Sequence, residues 1–165
     1  MQRSFSGLKY FVTIAMLTTL TATASADDTR AKAIQKDRNQ IAGTWKIVAL
    51  TVNGNKSKDE DAQKLTVVNG ADGTWSLRSE GNEIVRGTTS IDPTLKPKMI
   101  DIQPTTGGDK GKTYLGIYDL GESTRKLCFA PAGIERPAAF KSNPGDGRIL
   151  VKFERVEKNT ESTSP

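Results

Sequence analysis

The chain has 165 residues, 24 Lys+Arg against 19 Asp+Glu, one cysteine and no histidine, a length that fits a single domain. Without histidine it cannot build a Ser-His-Asp or Cys-His nucleophile pair, or a His-ligated zinc site, so enzyme chemistry would have to rest on carboxylates, Lys or Tyr. The lone Cys128 excludes an internal disulfide, and interspersed charges favour a solvated mixed surface over a nucleic-acid or anionic-membrane face.

Residues 1–26 read as an export signal. Arg3 and Lys9 form a positive start, Tyr10 to Leu20 is an apolar run broken only by threonines, and Ala24-Ser25-Ala26 is a small-x-small cleavage motif. The alternative is an ordinary buried N-terminal helix. The apolar run is too short for a permanent membrane span, and no cysteine follows the motif to carry a lipid. Cleavage would start the mature chain at Asp27. It removes two of the 24 basic residues, leaving 22 against 19 acidic ones, a net charge of +3. The expected location is periplasmic or extracellular, with no stable membrane insertion.

From Asp27 to Ala42 the sequence predicts a short helical segment. Asp28-Thr29 would cap a helix over Arg30 to Gln40, whose thin stripe of Ala31, Ile34 and Ile41 needs the rest of the fold as support. Gly43 to Val52 is the first strand. Trp45, Ile47 and Ala49 share one face, yet Val48, Leu50 and Val52 are apolar on the other, so either both faces are covered or a bulge shifts the register midway. Lys58 to Lys64 is polar, with room for one helical turn. Period-two runs between turn residues then predict strands over Leu65–Asn69, Thr74–Ser79, Glu83–Ile91, Lys98–Gln103, Thr113–Leu120, Thr124–Phe129 and Arg148–Val156. Leu65, Val67, Trp75, Leu77, Ile100, Ile102, Leu127 and Phe129 fall on inward positions. Residues 130–147 hold Pro131, Pro137 and Pro144 and read as a long irregular connection. The end of the chain, 157–165, is a polar tail expected to be disordered.

Eight strands joined mostly by short turns predict an all-β fold. Closing an eight-stranded antiparallel sheet into a barrel removes its edges and leaves an interior that fits side chains or one small ligand. A two-sheet sandwich is the competing arrangement. The motifs Gly43-Thr44-Trp45-Lys46-Ile47-Val48, Val52-Asn53-Gly54, Lys96-Pro97-Lys98-Met99-Ile100-Asp101, Gly111-Lys112-Thr113, Gly116-Ile117-Tyr118 and Leu127-Cys128-Phe129-Ala130 with Arg136-Pro137 occur in that order. As a set, over about Ile41 to Val156, they resemble a lipocalin-like, functionally uncharacterised family of small exported domains expanded in planctomycete bacteria. The resemblance implies a lipocalin-type (calycin-type) barrel over residues 43–156 and no assigned catalytic residue. Lipocalins carry an Arg late in the last strand that stacks over the first-strand Trp at the closed end. Arg155 continues the face of Ile149, Val151 and Phe153, so the resemblance implies a closed end built from Gly43, Trp45 and Arg155. A cation over an indole contributes about 0.5–2 kcal/mol; the bland alternative is an exposed charge at a strand end.

Motifs that suggest catalysis fail on context. Gly107 to Thr113 imitates a phosphate loop, but the spacing is one residue short and a strand follows instead of a helix. Ser123-Thr124-Arg125-Lys126 has the S-x-x-K spacing of penicillin-recognising enzymes, but Ser123 opens a strand rather than a buried helix. Asp59, Glu60 and Asp61 lack the alternation and glycine of a calcium loop and read as a solvated turn. Candidate binding residues are fewer. Arg125 shares the inward face of Leu127 and Phe129 at its strand's start, where it would hold an anionic head group at the rim or snorkel to water. Tyr114 and Tyr118 share a face that lines a pocket or covers the outside. Two functions follow: an exported, non-catalytic domain holding a small, partly apolar or anionic molecule, and a cell-envelope interaction module with a filled barrel and a protein partner. No cofactor, metal or nucleic acid is expected.

Overall fold

A computed structural model describes residues 22–157, so most of the expected signal and the tail after Glu157 lie outside the described residues. Helix α1 (Ala22–Ile41) leads into strand β1 (Gly43–Val52). A two-residue strand β2 (Asn55–Lys56) and a single helical turn α2 (Asp59–Ala62) follow. Then come β3 (Leu65–Asn69), β4 (Thr74–Ser79), β5 (Asn82–Asp92), β6 (Lys98–Pro104), β7 (Tyr114–Leu120), β8 (Thr124–Phe129) and β9 (Ile149–Arg155). Each strand from β3 to β9 pairs antiparallel with the next, β1 pairs with β3, and β9 returns to pair with β1. The result is a closed, up-and-down barrel of eight strands, lipocalin-like in form, with β2 as a flange on β1. Closure gives every barrel strand two hydrogen-bonded neighbours, so the two-residue β2 is the one edge strand among the described residues.

The apolar pattern of β1 is explained by a bulge. Ile47 lies opposite Phe153 and Ala49 opposite Lys152, which leaves Val48 as the extra residue. Before it, Trp45 and Ile47 point inward; after it, Leu50 and Val52 do. The bulge thus re-aims the apolar set of one strand without a second buried face. On β7, Tyr114, Gly116 and Tyr118 lie opposite Ile102, Ile100 and Lys98, and Gly116 and Tyr118 lie opposite Phe129 and Leu127. Cross-strand partners share a face, so these three are inward. Gly116 is small for a reason: a Cβ there would sit 2.4 Å from the Phe129 ring. Leu115, Ile117 and Cys128 face outward, where residues 130–148 cover Ile117 and Cys128. Ile117 and Cys128 are fully buried there with Pro137. Arg136 pins this cover, donating to Asp101 through both terminal nitrogens and to the carbonyls of Gly116 (2.6 Å) and Ile100 (3.3 Å). Cys128 Sγ–H donates to the Lys141 carbonyl at 3.4 Å; burial pushes its thiol pKa up, in keeping with a structural thiol.

Helix α1 closes one end of the barrel. It begins by Ala22, before the expected Asp28-Thr29 cap. Asp28 instead sits inside the helix and pairs with Lys32 one turn on, at 2.6 Å, the favourable carboxylate-first order. Its apolar stripe is thin, and its anchorage is polar. Arg30 pairs with Asp92 at 2.8 Å, Asp37 with Lys98 at 2.8 Å, Arg38 donates to the Thr89 carbonyl at 3.1 Å, and Gln40 to the Gly121 carbonyl at 2.8 Å. Among the described residues no helix is long and apolar enough to cross a membrane.

Candidate ligand cavity and the closed end

The chain turns off α1 at Gly43, whose φ of 114° is closed to most side chains. A Cβ there would also meet Arg155 Nη1 at 3.2 Å. This turn delivers Trp45, which is fully buried, beneath the end of the helix. The last carbonyls of any helix lack partners within it. Here Trp45 Nε1–H donates to the Ile41 carbonyl at 2.7 Å, and Arg155 donates to the carbonyls of Ala42 (3.0 Å) and Gln40. Arg155 lies directly opposite Trp45 in the sheet, its guanidinium 4.3 Å from the indole centroid. One cation therefore caps the helix, complements the negative end of its dipole and stacks on the indole.

Arg125 reaches the same ring system. It is not at an open rim: β8 starts at the helix-covered end, and only 3% of the residue is exposed. Its guanidinium lies 4.8 Å from the Trp45 centroid and 4.5 Å from that of Phe153. Its hydrogen bonding is sparse, with Nη1 donating to Asn69 Oδ1 at 3.4 Å and Nε left without a partner. Burial pulls its pKa below the ordinary arginine value, and the nearby charge of Arg155 pulls the same way. It stays cationic at neutral pH.

Above Arg125 the barrel is hollow. A cavity of about 300 Å³ is lined by fifteen apolar residues and three polar ones, Asn69, Thr89 and Arg125. The polar residues of the wall belong to the β3, β5 and β8 strands. Away from the helix, Leu77, Val85, Ile102, Phe129 and Ile149 also line a second space of about 540 Å³, roofed by residues 106–109 of the loop between β6 and β7. Tyr114 lines this mouth space, and burial together with the Asp109 carboxylate raises its phenol pKa. Tyr118, though inward, lies elsewhere. It is buried under α1, and its hydroxyl donates to Asp37 Oδ2 at 2.7 Å. Burial first, and that carboxylate second, push its pKa well above the ordinary tyrosine value.

The candidates from sequence thus fall into three places. Gly43, Trp45, Arg155 and Arg125 meet at the closed end, Tyr118 locks the helix onto it, and Tyr114 stands at the mouth. Sequence reasoning passed over Asn69, taken only as the last residue of its strand although it follows Leu65 and Val67 on the inward positions. It also passed over Asp37 and Lys98, which are 61 residues apart, and the Arg136–Asp101 strap. Among the described residues no group of His, Cys, Asp and Glu is placed to hold a metal ion. An apolar hollow with one buried cation in its wall can enclose a molecule. Comparison with known protein families, curated proteins and solved structures finds no match in any of the three. What fold and site define is a class: a lipocalin-like barrel, closed by a helix at one end and hollow at the other.

Proposed function

We propose that this protein is an exported, non-catalytic binding domain that holds a small, partly apolar molecule inside its barrel. The observation that carries this reading is the 300 Å³ apolar cavity, a hollow of the size and lining of small-molecule sites. A water's share of liquid volume is about 30 Å³, so the space takes roughly ten non-hydrogen atoms. Eight methylenes moved from water into it would contribute about 6 kcal/mol before the costs of association. The order of Arg3, Lys9, the apolar run and Ala24-Ser25-Ala26 supports export to the periplasm or beyond. An interaction module with a filled barrel fits this hollow less well, since it has no use for unfilled apolar walls. Native mass spectrometry of protein purified from its source tests both parts. The expected spectrum shows a chain starting at Asp27 and a co-purifying small mass that leaves on activation. A chain that carries no small mass, and takes up no neutral apolar dye, would overturn the carrier.

A further inference from the structure

This inference rests on the carrier reading and names the class of ligand. Two charged residues count as buried among the described residues, Asp37 and Arg125. Asp37 is matched by the Lys98 ammonium and the Tyr118 hydroxyl. Among the described residues, nothing of opposite charge matches Arg125. Its one hydrogen bond is long, its Nε is unpaired, and the charge that acts on it is another cation, Arg155. A buried charge is costly unless it is paired. Stacking on Trp45 and Phe153 offsets only part of that cost. Arg155 cannot share an anion, because its guanidinium is committed to the carbonyls at the end of α1.

We propose that Arg125 is the anchor for a carboxylate, and that the ligand is a monocarboxylate amphiphile seated head-down in the barrel. Nη1 is held by Asn69 and Nε has no partner, but Nε is closed off, so side-on pairing of a planar carboxylate with the Nε–Nη2 edge requires the guanidinium to turn toward the cavity it lines. One unmatched guanidinium balances one negative charge, so a dianionic phosphate is not accommodated. The tail runs along β8, past Leu127 to Phe129, where the cavity meets the mouth space. Four residues of strand give it about 13 Å. The cavity volume sets a carboxylate and a tail of roughly seven carbons inside, with anything longer passing into the mouth.

The test is calorimetric titration of the lipid-stripped protein with decanoate, decanol and decyltrimethylammonium. Decanoate is expected to bind about tenfold tighter than decanol or better, the cation not at all. Arg125→Met should erase the acid-over-alcohol preference while keeping decanol binding, and Arg125→Lys should retain part of it. If Arg125→Met does not fold, the ranking of the three probes on the unaltered protein and on Arg125→Lys still decides. Equal binding of decanoate and decanol, or preference for the cation, overturns the anchor and leaves the carrier standing. Binding of none of the probes by a folded barrel overturns the carrier reading and the anchor with it.

Discussion

Trp45 has more duties than any other residue. Its indole fills the closed end, its N–H caps a helix carbonyl, and two guanidinium groups lie 4.3 and 4.8 Å from its ring centroid. Trp45→Ala should cost about 3–5 kcal/mol as a large-to-small core change, a large share of a typical domain's stability. Arg155→Ala should cost less, about 2–3 kcal/mol, from lost stacking and charge-assisted bonds to two carbonyls. The double variant should lose less than the sum, because either change alone removes the shared contact. Trp75 carries the same local Gly-Thr-Trp sequence but lines the cavity wall and donates to the Thr88 carbonyl instead. It should show no coupling to Arg155. Urea melts of the single and double variants measure this, and strict additivity at Trp45 and Arg155 would contradict the shared contact.

Among the elements, α1 is the one whose attachment the sequence conceals. A helix with so narrow an apolar stripe is marginal alone, and what holds it is a set of polar ties to distant strands. Asp37 is the central one, accepting from Lys98 and Tyr118 together. Asp37→Ala strands a buried hydroxyl and a half-buried ammonium, and should cost about 2–3 kcal/mol. Its signature should be local: amide exchange in 30–42 should quicken far more than in β6 and β7. Uniform quickening would mean that helix and barrel unfold only as one unit. The barrel strands, by contrast, were plain in the sequence, because each has one face on an apolar interior and turns at both ends. The exceptions are instructive. β1 looked apolar on both faces until the bulge at Val48 separated its halves. The outward Ile117 and Cys128 break the polar-out rule because residues 130–148 cover them. Arg125 looked like a rim residue because it starts its strand. Counting strand directions from β1 places that start at the closed end, so this information was present in the order of the elements. The pairs Asp37–Lys98 and Arg136–Asp101 were not, since nothing local records a contact made across the fold.

At the scale of the molecule, the barrel is closed by hydrogen bonds on every side and plugged by a helix, so its deepest phenol can meet water only if the plug lifts. Tyr118 is that phenol, 1% exposed and bonded to Asp37. Its pKa in the folded protein stands above the unfolded value of about 10. The stabilisation this represents is therefore fully present below about pH 10. It is lost as pH rises further, toward the folded pKa, because the unfolded chain gives up the proton first. Alkaline titration followed together by tyrosinate absorbance and circular dichroism should show Tyr118 ionising only with loss of the β signal. Tyr114, half-buried at the mouth and raised less deeply by burial and Asp109, should titrate while the barrel is intact. In Tyr118→Phe the absorbance step that accompanies unfolding should disappear, and the alkaline loss of stability should be shallower than in the unaltered protein. A Tyr118 signal that rises near pH 10 with native ellipticity would mean that α1 opens readily. The closed end would then be a second entrance to the cavity, not its floor.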